Sequence, residues 1–165
     1  MGSHHFEVVI GRAPDTVWRY LADPSHELEW QQGVVSSVHV PAGPVAVGTR
    51  KTKVRRTPMA EQRFVVEYTR VDEAAREWDD LVVEGSVAGS TGRYRVSPDG
   101  LGSRVVLDVR MTARGIARLL MPVIDSTTRR DLKGGFERLK EVLEAAPAEP
   151  VETTFTGSSN DQVGW

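Results

Sequence analysis

The sequence predicts an α+β fold: an antiparallel sheet of about seven strands covered by a long C-terminal helix, with two short helices after the first strand. Three observations predict it. Between Val34 and Thr112, β-rich runs alternate with short turns, and short connections favour antiparallel neighbours over parallel crossover units. From Ala113 to Glu144, the residues Ile116, Leu119, Leu120, Val123, Ile124, Leu132, Phe136, Leu139, Val142 and Leu143 recur at spacings of three and four, a single apolar stripe on a helix. Between the first strand and the strand series, residues 13–32 carry helix start and stop signals.

Phe6 to Ile10 is a short β-rich run that Gly11 stops. Residues 1–5 (Met-Gly-Ser-His-His) read as an expression tag or a disordered start, so their histidines are given no functional weight. Ala13-Pro14-Asp15 opens a helix, with proline in the first turn and a carboxylate near the N-terminus. Thr16 to Ala22 turns Val17, Trp18, Tyr20 and Leu21 largely inward. Asp23-Pro24 ends it, and a second short helix over 24–32 has Leu28 and Trp30 as its apolar members.

Strands follow at 34–40, 48–57, 61–71, 76–84, 90–97 and 104–112. Pro98-Asp99-Gly100-Leu101-Gly102 is the clearest hairpin turn between them. In the last strand Val105, Leu107, Val109 and Met111 alternate with Val106, Asp108 and Arg110, which marks one buried face. Pro122 removes a backbone donor inside the helical pattern and should kink the helix or divide it in two. After Ala145 the composition shifts to Pro, Glu, Thr, Ser and Gly, so residues 146–165 read as a flexible tail behind one domain at 6–145.

A chain of 165 residues suits one domain with one core. A net charge of -2 argues against a dedicated nucleic-acid binder. The absence of cysteine excludes disulfides, thiolate metal sites and a cysteine nucleophile. No apolar run approaches the ~20 residues of a membrane span and no secretory pattern opens the chain, so a cytoplasmic location is the expectation. His26 and His39 lie on different elements without ligand spacing, so no metal site is expected. No phosphate loop or dinucleotide fingerprint follows a strand, so no cofactor is expected either.

Several short stretches, in this order and spacing, carry a resemblance. They are Ala13-Pro14-Asp15-Thr16-Val17-Trp18, Asp23-Pro24 leading to Trp30, and Gly48-Thr49. Then come Tyr94-Arg95-Val96 running to Asp99-Gly100, and Phe136-Glu137-Arg138-Leu139-Lys140 with Leu143-Glu144. Over roughly residues 5–145 the chain resembles the START/Bet v 1-like (SRPBCC) superfamily, and within it the bacterial polyketide cyclase/dehydrase branch. The resemblance implies a helix-grip fold, a curved sheet wrapped around the long helix with a hollow between them. In relatives the hollow holds polyketides, lipids, sterols or plant hormones. The superfamily contains enzymes, carriers and adaptors, so the fold alone does not choose among them.

Strand phase nominates the side chains that face such a hollow. On 61–71 the set Phe64, Val66, Tyr68 and Arg70 carries both aromatics and is read as the inward face. Arg70 would then hold a carboxylate, phosphate or enolate oxygen, and in aromatase/cyclase relatives an inward arginine near this place is implicated in catalysis. The plainer alternative is a solvated arginine near a turn. On 76–84 one phase turns Trp78, Asp80, Val82 and Glu84 inward, the other Glu77, Asp79, Leu81 and Val83. The Trp78 ring favours the first, which buries Asp80. A buried, unpaired carboxylate has a raised pKa and can move a proton at a carbonyl substrate. The alternative is an exposed acidic strand start. Tyr94 alternates with Val96 and can offer its hydroxyl to a ligand oxygen.

Arg70, Asp80 and Tyr94 are therefore the catalytic candidates. Leu107, Val109, Leu120 and Ile124 join Phe64, Val66, Tyr68, Trp78 and Val82 as candidate lining. Asp125 and Thr128 are polar positions beside the helical stripe, and Trp30 closes the second short helix where relatives open to solvent. Ile116 to Thr128 is expected to wall the pocket. Leu132 to Leu143 is expected to seal the core, with Gly134-Gly135 approaching the sheet. Lys51, Lys53 and Arg55 share one side of their strand and read as a solvated face that discourages strand aggregation, or as a contact for an anionic partner. The expected partner is a hydrophobic or aromatic small molecule, with acid–base cyclisation, dehydration or isomerisation as the chemistry. The rivals are a non-catalytic carrier or sensor and a protein-interaction module, and homodimerisation stays open.

Overall fold

Short turns after each β-rich run make consecutive strands pair with their neighbours. The computed structural model, which describes residues 2–147, has this arrangement. Its elements are β1 (Gly2–Ile10), α1 (Pro14–Ala22), a 3-10 turn at Pro24–His26, α2 (Glu27–Trp30), β2 (Val34–Val40), β3 (Arg50–Arg56), β4 (Glu61–Asp72), β5 (Glu77–Glu84), β6 (Thr91–Asp99), β7 (Gly102–Met111), a second 3-10 turn at Gly115–Arg118 and α3 (Met121–Ala145). One antiparallel sheet runs in the order β1-β7-β6-β5-β4-β3-β2. The expected tail lies outside the described residues, apart from Ala146 and Pro147.

The first strand is longer than expected. It pairs with β7 from Gly2 opposite Met111 to Ile10 opposite Ser103, so the opening residues belong to the sheet rather than to a loose start. His4 Nε2 meets Asp125 Oδ1 of α3 at 2.5 Å, and His5 Nδ1 meets Asp108 Oδ1 of β7 at 2.6 Å. At the β6–β7 hairpin, Gly100 takes φ +56°, the left-handed conformation that glycine adopts at least cost. A Cβ on the adjoining Gly102 would lie 2.3 Å from the Ile10 carbonyl oxygen, so close packing of β1 on the hairpin requires glycine there.

Pro122 divides the long helical pattern. It sits in the first turn of α3, where its missing donor costs no helical hydrogen bond, and the upstream residues form the separate 3-10 turn. A stripe interrupted this way has its phase set independently on each side. Below the break Phe136, Leu139 and Leu143 are buried in the core with Phe6, Ile10, Val17, Trp18 and Trp30. Ile116, Leu119 and Leu120 before the break, and Val123 directly after it, are exposed, contrary to the expected continuous buried stripe. Gly135 permits close approach, but to Trp30 of α2 rather than to the sheet: its Cβ would stand 3.4 Å from the indole. The next residue, Phe136, stacks on that indole at 5.9 Å and 6°.

Leu139 has no exposed surface. Leu139→Ala is expected to lower unfolding free energy by about 2–5 kcal/mol, measured by urea denaturation, because it removes apolar contacts and leaves a void between α3 and β1.

Candidate functional site

The concave sheet face has two ends with different contents. At one end aromatic rings fill the space. Trp78 of β5 lies 5.0 Å from Trp18 of α1, 4.7 Å from Tyr94 and 6.0 Å from Tyr68, the last edge-on. At the other end the sheet and α3 do not close, and a cavity of about 210 Å³ remains. Phe64, Val66, Val82, Leu107, Val109 and Met111 form its apolar wall. Lys51, Lys53, Arg55, Asp80 and Tyr94 give it a polar side, with Gln31, Thr128 and Asp131.

The strand phase predicted for β5 is present through Val82, but Glu84, expected inward, is exposed beyond a register shift against β4. Trp78, Asp80 and Val82 face inward, and Asp80 reaches the cavity. Its Oδ2 accepts the Trp78 indole N–H at 3.3 Å. Its neighbour across the ladder is Gly92, where an added Cβ would lie 2.7 Å from Asp80 Oδ1. A side chain there would displace the carboxyl. Burial pushes Asp80 up from the ordinary carboxylate value, and the Lys51 and Lys53 charges only partly offset it. Tyr94 also lines the cavity, and burial pushes its phenol up, so it remains a hydrogen-bond donor at neutral pH.

Arg70 is not at the site. The ladder pairs Tyr68 with Asp80 but Arg70 with Asp79, so Thr69 is an extra residue on β4. Such a bulge resets the alternation and turns Arg70 to the outside. There it pairs with Glu77 at 3.0 Å and Asp72 at 3.5 Å, while Val71 takes the inward position against the core. Tyr68 and Trp78 are buried core rather than lining, and so is Trp30. Leu120, Ile124 and Asp125 do not reach the cavity either. Leu120 follows the exposed turn before Pro122, and Asp125 is held by His4. Among the helix candidates Thr128 alone lines it, joined by Asp131 and Leu132 one turn further on.

The basic side of β3 faces inward, which the sequence reading missed. Glu27 of α2 is buried between two lysines: Lys51 Nζ stands 2.5 Å from its Oε1 and Lys53 Nζ 3.0 Å from its Oε2. Ser37 Oγ donates to Glu27 Oε2 at 3.0 Å, and Lys53 Nζ donates to Gln31 Oε1 at 2.8 Å. Arg55 pairs with Asp131 across the opening between β3 and α3. Burial by itself would raise the Glu27 carboxyl, but the Lys51 and Lys53 ammoniums outweigh it and hold it at about 2. Burial would lower Lys51, yet Glu27 outweighs this and raises it. For Lys53 burial prevails over Glu27, and its value is lowered. Two sequence signals bear on the site: a lone glycine inside β6 opposite an acidic residue, and Glu27 three residues before Trp30, on the same side of a short helix. Neither identifies the lysines as its partners without the tertiary fold.

The fold is a helix-grip: a curved seven-stranded sheet around a C-terminal helix, with a ligand-sized hollow between them. The chain belongs to the family of polyketide cyclases/dehydrases and lipid transport proteins, whose sequence model matches residues 1–144, and so to the START/Bet v 1-like superfamily. Among solved structures it is similar to TTHA0849 from Thermus thermophilus, with 21% identity and a TM-score of 0.75 over 89% of this chain and 100% of that one. It is similar to Ara h 8.0201, with 14% identity and a TM-score of 0.65 over 88% of this chain and 100% of that one. The di-domain ARO/CYC BexL from the BE-7585A biosynthetic pathway gives 19% identity and a TM-score of 0.68, over 86% of this chain and 46% of that chain. No curated protein sequence matches the chain. Among the described residues no helix is long and apolar enough to cross a membrane.

Glu27 makes the fold pH-dependent in a definite direction. A carboxyl lowered from 4.5 to about 2 contributes stability that is present above pH 4.5 and lost as pH falls through about 2. Glu27→Gln should remove this component from the acid limb of a thermal-unfolding pH profile. At neutral pH it should cost about 3–5 kcal/mol, since two buried ammoniums lose their counter-charge.

Proposed function

We propose that the protein binds an apolar or aromatic small molecule in the cavity between the sheet and α3, and acts on it by acid–base chemistry of the cyclisation, dehydration or isomerisation type. The observation that carries this reading is that Asp80, Tyr94 and Lys53 line one polar side of a hollow of about 210 Å³ whose opposite wall is apolar. An engineered apolar cavity of ~150 Å³ takes benzene, so this volume suits a body of one or two rings. The family description, polyketide cyclase/dehydrase and lipid transport, supports a ligand of this class. The fold shared with an ARO/CYC protein agrees with it.

The chemistry follows from the protonation states. Asp80 is pushed toward its protonated form by burial, so it is the proton donor to a ligand carbonyl or departing hydroxyl oxygen. Once it has given that proton, its carboxylate can accept one from the carbon beside the carbonyl. The Tyr94 hydroxyl and the Lys53 ammonium polarise the same oxygen by donating hydrogen bonds to it, and the product of the two transfers is a neutral enol with Asp80 again protonated. A carrier or sensor with the same cavity is the second reading, favoured by the wall of Phe64, Val66, Val82, Leu107, Val109 and Met111.

Two measurements test the proposal. Titration with 2-naphthol, followed by its fluorescence, should give saturable binding that Val82→Trp eliminates by filling the cavity. Equal binding by wild type and Val82→Trp would sink the cavity assignment. Native mass spectrometry should then identify a co-purifying small molecule, and Asp80→Asn should bind it while losing its conversion by about 10²–10⁴-fold. Unchanged conversion in Asp80→Asn would remove the catalytic role and leave the carrier reading.

A further inference from the structure

The polar side of the cavity holds more hydrogen-bond donors than the protein satisfies. A lysine ammonium has three N–H donors and no acceptor. Lys53 faces Glu27 Oε2 at 3.0 Å and Gln31 Oε1 at 2.8 Å, which leaves one donor without a protein acceptor among the described residues. In the same wall, Arg55 Nε is buried with no hydrogen-bond partner, although the other end of its guanidinium meets Asp131.

The charges point the same way. Lys51, Lys53 and Arg55 are paired with two carboxylates, Glu27 and Asp131. Asp80, the third carboxyl at the cavity, forms no ion pair with either lysine and takes the Trp78 indole N–H instead. Burial also drives Asp80 toward its neutral form. Burial lowers Lys53 as well, so its ammonium is short of counter-charge: when it is protonated, three cations share two carboxylates in a partly enclosed site. A buried cation without its full complement of acceptors is costly, so the site favours an occupant that brings both an acceptor oxygen and a negative charge.

Resting on the cavity reading above, we infer that the ligand is an organic anion: an aromatic or otherwise apolar body ending in a carboxylate, or in an ionised enol or phenol, with its anionic oxygen against Lys53. The apolar wall disfavours a small hydrated inorganic anion, which would leave Phe64, Val82 and Leu107 facing empty space. The donors on this side match one terminal oxygen group: the free Lys53 N–H, the Tyr94 hydroxyl and the Asp80 carboxylic acid. Charge-assisted hydrogen bonds of this kind separate an anion from a neutral molecule of the same shape.

Isothermal titration calorimetry at neutral pH with 2-naphthoate and 2-naphthamide tests the inference, because the two probes share a shape and differ in charge. The wild-type protein should bind naphthoate about tenfold or more tightly than naphthamide. Lys53→Met should bring naphthoate binding down to the level of naphthamide binding in the same variant, with an unchanged thermal-unfolding transition showing the fold intact. Equal affinities in the wild type overturn the inference and leave the cavity reading standing. Binding of neither probe overturns the cavity reading and the inference with it. An undiminished preference in Lys53→Met overturns the placement of the anion at Lys53. If Lys53→Met does not fold, the wild-type comparison decides alone.

Discussion

The buried contact of Glu27 with Lys51 and Lys53 is the constraint on which the site depends. It ties the short helix α2 to the inner side of β3, at the place where an apolar core would otherwise close. Charges taken out of water need good geometry and additional hydrogen bonds to be tolerated, and here Ser37 and Gln31 supply them. Because one carboxylate serves two ammoniums, the arrangement is electrically incomplete by itself. The same contact that anchors α2 therefore leaves cationic character at the cavity surface.

The concave face divides its work along the strands. At the end under α1, Trp18, Trp78 and Tyr94 fill the space with rings at contact distance. Toward α3, the side chains on β4, β5 and β7 shorten to Val66, Val82, Leu107 and Val109, and the helix above presents Thr128 and Asp131. Interiors pack to crystal-like density wherever side chains can meet, so a hollow persists only where they are too small or too polar to close it. Asp80 stands at the boundary. The indole of Trp78 holds one of its oxygens, and the missing side chain of Gly92 makes room for the other.

How much was legible in the sequence is seen by comparing Asp80 with Arg70. Both were placed by counting twos along a strand. Asp80 was placed correctly because Trp78, two residues before it, must bury its ring and the strand between them is regular. Arg70 was misplaced because the bulge at Thr69 inserts one residue, and a single extra residue inverts every later position. The lysines of β3 show a different limit. Lys51, Lys53 and Arg55 lie on one side of their strand, as alternation predicts, but nothing local says which side faces in. Composition alone assigns lysine to water. The decision came from Glu27, which lies 24 residues away from Lys51 on another element.

The amino-acid sequence by itself determined the number and order of the elements, the antiparallel pairing, the break at Pro122 and the buried face of most strands. These follow from local periodicity, turn chemistry and the missing donor of proline, all properties of neighbouring residues. Only the tertiary structure decided which polar side chains face the hollow, where the apolar stripe of the C-terminal segment leaves the core, and that residues 2–5 join the sheet. The reason is physical. A charged residue is buried when its counter-charge arrives from a distant element, and that meeting has no local signature.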